Sequence, residues 1–236
     1  MDLFLIRHGE SANNILTDLS KRVADPDLTP LGRQQAEQLS HYLIDRRHLY
    51  PHERDQGKSL DRLFTSAMKR SLQTSAPTCS RGDFSADVWI DVHEVGGLFL
   101  ADPVTGVVEG HSGVTPAELE RQLPGARFAE GDIDDEGWWN QGKEMPAAGQ
   151  GRAIGVAAQL RAMASSSVDV ERVGVVSHGD FLSHLLKALM DGLPAASAHY
   201  QLANTGISRL GLSNEGTVVH CVNRVEHLDD ARWVSH

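Results

Sequence analysis

Leu3-Phe4-Leu5-Ile6-Arg7-His8-Gly9-Glu10-Ser11 is the stretch that decides how this chain is read. Four apolar residues in a row, without alternation, are the mark of a strand buried on both faces, as in a parallel sheet. The run stops abruptly at Arg-His-Gly, so two basic side chains emerge at the carboxyl end of the strand. The same layout returns late in the chain. Val173-Gly174-Val175-Val176 runs into Ser177-His178-Gly179-Asp180, and a helical pattern follows. If the two strands are neighbours, two imidazoles stand side by side at the edge where open α/β sheets bind ligands. Paired histidines beside an arginine point to phosphate chemistry.

The rest of the chain reads as alternating strands and helices. Thr29-Pro30 starts a helix with proline at its first position, where the missing N–H costs nothing. Ala36, Leu39 and Leu43 give it an apolar stripe, with Arg33, Gln34 and Glu37 toward water. Leu60–Phe64 is a second strand, ending at Thr65-Ser66 before a helix that carries Met68, Lys69, Arg70 and Leu72. Val88-Trp89-Ile90 is a third strand, ending at His93-Glu94. From Val95 to about Met145 the periodicity weakens, apart from the capping box Thr115-Pro116-Ala117-Glu118 and a helix to about Leu123. This stretch reads as an insertion over the carboxyl edge of the sheet, the usual place for a binding loop or lid. A helix from about Ala147 to Ala164, a strand at Val173–Val176, a helix at Phe181–Met190 and a hairpin of Ile207–Leu212 with Thr217–Val222 complete the chain. The expected fold is a three-layer α/β domain over residues 1–236, a mostly parallel sheet with helices on both faces.

Composition narrows the function. The formal net charge is −10, and no Lys/Arg cluster offsets it, which argues against nucleic acid. An acidic protein repels a phosphate dianion at long range, so a phosphate site must be a local concentration of arginine. No apolar run approaches a membrane span, and Met1-Asp2 leads straight into a strand with no signal peptide; the expectation is a soluble cytoplasmic protein. Cys79 and Cys221 read as reduced thiols rather than a disulfide framework. Twelve histidines invite a metal reading, but His178 and His184 lie on different helix faces and no Cys-x-x-Cys pair accompanies them. Neither a metal nor another cofactor is expected. Oligomeric state stays open, a homodimer being one option.

Phosphoryl transfer needs a nucleophile, cations on the non-bridging oxygens and a proton donor for the leaving oxygen. His8 is the candidate nucleophile, kept neutral by the charge of Arg7. Arg7 and Arg70 are suited to bidentate contacts with phosphate oxygens. His178 with Gly179 opens a helix, where free N–H groups favour an anion, and Ser11 and Asn14 supply neutral hydrogen bonds. Glu94 is the candidate acid. Singly, each is ordinary: a strand-end motif, a solvated helix arginine, a loop carboxylate, a helix cap. Their joint placement at strand ends turns the reading to a phosphate site. Trp138-Trp139 read first as packing residues of the insertion, and alternatively, with His111, as walls of a leaving-group pocket. His93 is a further candidate for the pocket wall.

Arg7-His8-Gly9-Glu10-Ser11 with Asn14, Asp27-Leu28-Thr29-Pro30-Leu31-Gly32 with Gln35-Ala36, Thr65-Ser66-Ala67-Met68-Lys69-Arg70-Ser71-Leu72-Gln73-Thr74 and Val176-Ser177-His178-Gly179-Asp180 resemble, in order, the signature blocks of the histidine phosphatase superfamily, the phosphoglycerate mutase-like proteins. The resemblance implies a parallel-sheet α/β fold and metal-free catalysis through a phosphohistidine. It implies His8 as nucleophile, Arg7, Arg70 and His178 on the phosphate, and Glu94 as acid. Mutases of that family carry Glu-Arg-x-Tyr-Gly at the acid block, where this chain has His93-Glu94-Val95-Gly96-Gly97; Ser177 and Asn204-Thr205-Gly206-Ile207-Ser208 look like the phosphatase branch. The expected activity is hydrolysis of a small phosphorylated metabolite. The alternatives are a mutase that passes the phosphoryl group to a second hydroxyl, and a binding protein that kept the pocket without the chemistry.

Overall fold

A computed structural model describes residues 1–166, 171–195 and 197–236. Strand β1 (Asp2–Arg7) is followed by helix α1 (Pro30–Ile44), strand β2 (Arg62–Thr65), helix α2 (Lys69–Gly82) and the short strand β3 (Asp87–Val88). Next come a hairpin of β4 (Phe99–Ala101) and β5 (Val108–Gly110), then helices α3 (Pro116–Gln122) and α4 (Pro146–Ser166). Strand β6 (Arg172–Ser177), helix α5 (Gly179–Leu189) and strands β7 (Ile207–Ser213) and β8 (Gly216–Arg224) close the chain. Among the described residues the main sheet has six strands in the order β3-β2-β6-β1-β7-β8. The first three pairs are parallel, while β7 runs antiparallel to β1, and β8 to β7.

The continuous apolar run of β1 is explained by this placement. With neighbours on both edges and helices on both faces, every one of Leu3, Phe4, Leu5 and Ile6 is inaccessible to solvent. Leu3 and Leu5 pack with Val156, Leu160, Phe181 and Leu185 of α4 and α5. Phe4 and Ile6 turn the other way, to Leu39, Leu43, Met68 and Leu72 around α1 and α2. Each such side chain contributes roughly 1.5–3 kcal/mol through removal from water.

Local signals place the helices. Thr29 caps α1 by accepting from the Gly32 N–H, with Pro30 at the first position. The loop after β1 then crosses the first turn of α1 in backbone contact. A Cβ at Gly9 would come within 2.6 Å of the Gly32 carbonyl, and one at Gly32 within 2.0 Å of the Glu10 carbonyl. No larger residue fits either position without parting the loop from the helix.

The third strand is shorter than its sequence suggests. It ends at Val88; Trp89 keeps one bond to the sheet, its N–H donating to the Thr65 carbonyl, and Ile90–Val92 form a single 3₁₀ turn. That turn swings His93 and Glu94 back across the carboxyl edge. The two tryptophans are packing residues and not walls of a leaving-group pocket. Trp138 and Trp139 are buried with Leu98, Val114, Leu119 and Ile133, edge-on to each other, with Trp138 tilted against His93 and Trp139 edge-on to it. Neither lines the cavity described below. The Trp139 indole fills the space where a Cβ on Gly97 would sit, 2.0 Å away. Trp139→Ala is therefore expected to cost about 3–5 kcal/mol of unfolding free energy in urea titration; an unchanged midpoint would return the ring to the substrate. No helix among the described residues is long and apolar enough to cross a membrane.

Candidate active site

Strand pairing sets the distance between the two histidines. Arg7 of β1 lies in register with Ser177 of β6, and the His8 N–H donates to the Ser177 carbonyl at 2.9 Å. The residues that follow both strands are histidines, and their rings stand 5.0 Å apart, centre to centre. Strand β2 flanks β6 on the other side, so the helix that follows it delivers Arg70 to the same point. The Arg70 Nε–H donates to Nε2 of His8 at 3.1 Å.

That bond, with one other, fixes the tautomer of His8. Its Nδ1 lies 2.6 Å from the Gly9 carbonyl, which can only accept. The proton is thus on Nδ1, and the lone pair is on Nε2. Burial holds the pKa of His8 well below its usual 6.5, and the charges of Arg70 and Arg7 push the same way. The ring is neutral and oriented, the state required of a nitrogen nucleophile. Its backbone is clamped as well: the Gly9 N–H donates to the Thr74 hydroxyl, and Asn204 Nδ2 and the Thr205 N–H reach the carbonyls of His8 and Arg7. The Thr74 hydroxyl donates in turn to the Arg70 carbonyl at 2.6 Å.

The arginines are anchored at one end and free at the other. Arg7 donates through one terminal nitrogen to the Leu202 carbonyl at 2.6 Å, while its Nε is buried with no partner among the described residues. Arg70 lies 3.8 Å from Asp25, whose carboxylate also accepts from the Lys69 N–H at the start of α2. Asp25 steers Arg70, a role that no sequence motif announces. Burial outweighs the arginine and raises its pKa to about 6. Only its position in the fold marks it, since Ala24-Asp25-Pro26 lies in a loop between motifs.

Glu94 lies against the start of α5, accepting from the Phe181 N–H at 3.0 Å and from its neighbour Val95 at 2.8 Å. Those bonds and Arg70 favour the carboxylate, yet burial first and Asp180 second raise its pKa above the usual 4.5. A carboxyl with a raised pKa is thereby held near Arg7 and Arg70. Ser11 donates from both its N–H and its hydroxyl to Asn14 Oδ1, at 2.9 and 2.8 Å, which leaves the Asn14 amide nitrogen as a donor. Ser11, Asn14, Arg7, His8, Arg70, Glu94 and Gly179 line one cavity of about 470 Å³, the size range of a small-molecule site.

Three further candidates are not among the residues that line this cavity. His178 is inaccessible and stands behind His8, its Nε2 within 2.9 Å of the Ser66 hydroxyl and 3.2 Å of the Ser71 hydroxyl; it is adjacent to the cavity without lining it. His93 is buried under the insertion with Nδ1 on the Ile90 carbonyl. His111 opens on a separate hollow with Asp25, Lys69 and Glu118. His48 and His52 are four apart in sequence, but the first packs on Phe4 and the second on Tyr50. Among the described residues no three His, Cys, Asp or Glu side chains cluster as metal ligands would.

The family model of the histidine phosphatase superfamily (branch 1) matches residues 3–225. A broad-specificity phosphatase of Saccharomyces cerevisiae is 27% identical over 98% of this chain and 89% of its own. Among solved structures, a phosphoserine phosphatase mutant from Entamoeba histolytica in complex with phosphoserine superposes with a TM-score of 0.60 at 23% identity, covering 96% of this chain and 98% of that one. A mycobacterial glucosyl-3-phosphoglycerate phosphatase does so with a TM-score of 0.56 at 18% identity, over 94% and 98%. At these identities the structural likeness is one of fold.

Proposed function

The chain belongs to the histidine phosphatase superfamily and is a phosphatase, and from that premise we propose that it hydrolyses small phosphomonoesters through a phosphohistidine on Nε2 of His8. The observation that carries this reading is the pair of bonds on the His8 ring, with the Gly9 carbonyl on Nδ1 and Arg70 on Nε2. A phosphate entering the cavity takes the Arg70 donors and leaves the Nε2 lone pair facing phosphorus. Arg7 and Arg70 offset charge on the non-bridging oxygens. The N–P bond forms as the P–O ester bond breaks, and the Glu94 carboxyl gives its proton to the departing oxygen. The Glu94 carboxylate then takes a proton from water, whose oxygen displaces His8 from phosphorus and yields inorganic phosphate and the neutral imidazole. Asn14, Ser11 and the Gly179 N–H are assigned to substrate binding, and His178 supports His8 from behind. Residues 95–145 are assigned the role of a cap on a single domain spanning 1–236.

Two similar proteins support a small substrate: one is a broad-specificity phosphatase and the other is a phosphoserine phosphatase mutant in complex with phosphoserine. The direct test is release of inorganic phosphate from p-nitrophenyl phosphate and 3-phosphoglycerate with EDTA present. Turnover unaffected by EDTA is the expected result. No phosphate release, together with a phosphohistidine that persists after incubation with bisphosphoglycerate, would replace hydrolysis by mutase chemistry.

A further inference from the structure

Beyond the phosphate-binding arginines, the same cavity carries two cations that the chemistry above leaves unused. Arg22 follows a 3₁₀ turn at Leu19–Lys21, and Lys143 precedes α4 by three residues. Both line the cavity, and both lie over the ring of Phe99 at the start of β4, with the guanidinium carbon 5.8 Å and the ammonium 4.7 Å from its centre. Three separate segments thus meet at one aromatic ring. Neither cation has a carboxylate within ion-pair distance among the described residues, although the chain carries ten more acidic than basic residues.

The other charges lining the cavity do not satisfy them. Glu144, next to Lys143, is held by a two-pronged ion pair with Arg152 at 2.7 and 3.0 Å and accepts from the Gly96 N–H. Asp180 faces His199 and Glu94. Asp25 faces Arg70. Arg22, in turn, adds a like charge to the surroundings of Arg70. A phosphate dianion is matched by Arg7 and Arg70 alone. An apolar ring under two unpaired cations favours a ligand with a second negative charge, because each cation then gains a charge-assisted hydrogen bond without losing an existing partner.

The geometry points to a second anion subsite at Arg22, Lys143 and Phe99, which selects phosphomonoesters whose leaving group itself bears a carboxylate or a second phosphate. This rests on the phosphatase reading and specifies its substrate class. Lys143 is placed by its neighbour: the Arg152–Glu144 pair fixes the chain against the Gly96 loop, so the ammonium is presented from a fixed backbone. Phe99 serves both cations as a base and excludes water from one side.

The test compares four alkyl phosphates whose leaving alcohols differ mainly in charge. They are glycerol 3-phosphate (neutral), 3-phosphoglycerate (carboxylate), propane-1,3-diol bisphosphate (phosphate) and phosphoethanolamine (cationic). The wild-type protein is expected to favour an anionic member over glycerol 3-phosphate by roughly 10- to 100-fold in kcat/KM, the range of one or two charge-assisted bonds. The larger of the two anionic ratios identifies the group bound. In R22Q/K143Q the ratio should fall toward one, chiefly through KM, and in R22E/K143E phosphoethanolamine should become the preferred ester. Ratios measured within one preparation are insensitive to a misfolded fraction. Turnover of glycerol 3-phosphate with no charge preference, or a preference that survives R22Q/K143Q, overturns the subsite while leaving the phosphatase reading intact. Absence of turnover on every ester overturns that reading itself.

Discussion

His8→Ala is expected to lower kcat/KM for every phosphomonoester by at least about 10⁴-fold, the scale of losing a covalent nucleophile from a preorganised site. Its neighbours would stay folded. The ring is held by one bond on each nitrogen, and the backbone bonds that fix this loop come from the Gly9 N–H and the His8 carbonyl, which alanine retains. The more searching readout is the site of phosphorylation. With the Nδ1 proton committed to the Gly9 carbonyl, only Nε2 is available to phosphorus. Wild-type protein quenched in alkali during turnover should carry phosphate on Nε2 of His8, distinguishable by phosphorus NMR from the Nδ1 isomer. The variant should carry none. Because burial and two arginines keep the ring neutral, activity should survive acidification below the ordinary histidine range and fall only when the pH drops through the depressed pKa of His8. A phosphoenzyme that persists in His8→Ala, or that forms on Nδ1, would remove His8 from the role given to it here.

What the sequence made legible, and what it left hidden, follows the range of the interactions involved. The run from Leu3 to Ile6 announces a central strand because burial on both faces demands apolar residues at every position, and Thr29-Pro30 announces a helix start because capping is local. The two His-Gly ends could be paired in thought because parallel neighbours in register bring equivalent ends together. Trp89 and Ile90 mislead because a buried 3₁₀ turn and a buried strand draw on the same apolar residues. Thr74 and Asn204 lie in stretches that resemble family blocks, but nothing local says what they hold, and Asp25 carries no local signal at all. Each touches the site across dozens of residues of chain, Asp25 to Arg70, Thr74 to Gly9 and Asn204 to His8. Arg22 and Lys143 were invisible for the same reason, since their meaning lies in meeting at Phe99. Trp138 and Trp139 show the converse: conspicuous in sequence, they are spent on packing.

Glu94→Gln separates the two halves of the reaction by leaving group. Glutamine is nearly isosteric, and its amide oxygen can still accept from the Val95 and Phe181 N–H groups, so the loop should keep its place. An alkoxide leaves slowly unless it is protonated, and loss of the acid should cost roughly 10²–10⁴-fold on an alkyl phosphate such as 3-phosphoglycerate. p-Nitrophenolate leaves without a proton. The first step with p-nitrophenyl phosphate should therefore be nearly spared, while the second, which uses the Glu94 carboxylate as base, becomes slow. A burst of p-nitrophenol equal to the active-site concentration, followed by a slow steady rate, is the expected trace. The pH profile supplies an independent check on sign. The pKa of Glu94 is raised by burial and by Asp180, and a bound phosphate dianion raises it further, since a neighbouring negative charge disfavours the carboxylate. The protonated form that catalysis needs thus persists above the ordinary carboxylate range and is lost as pH rises through the shifted value. Wild-type turnover of the alkyl ester should decline on that alkaline side, and the glutamine variant, which has no proton to lose there, should not. Equal losses on both substrates with no burst would show that Glu94 shapes the site without moving a proton, and would pass the role of acid to Asp180, the other cavity carboxylate not held by an arginine, since Glu144 is paired with Arg152.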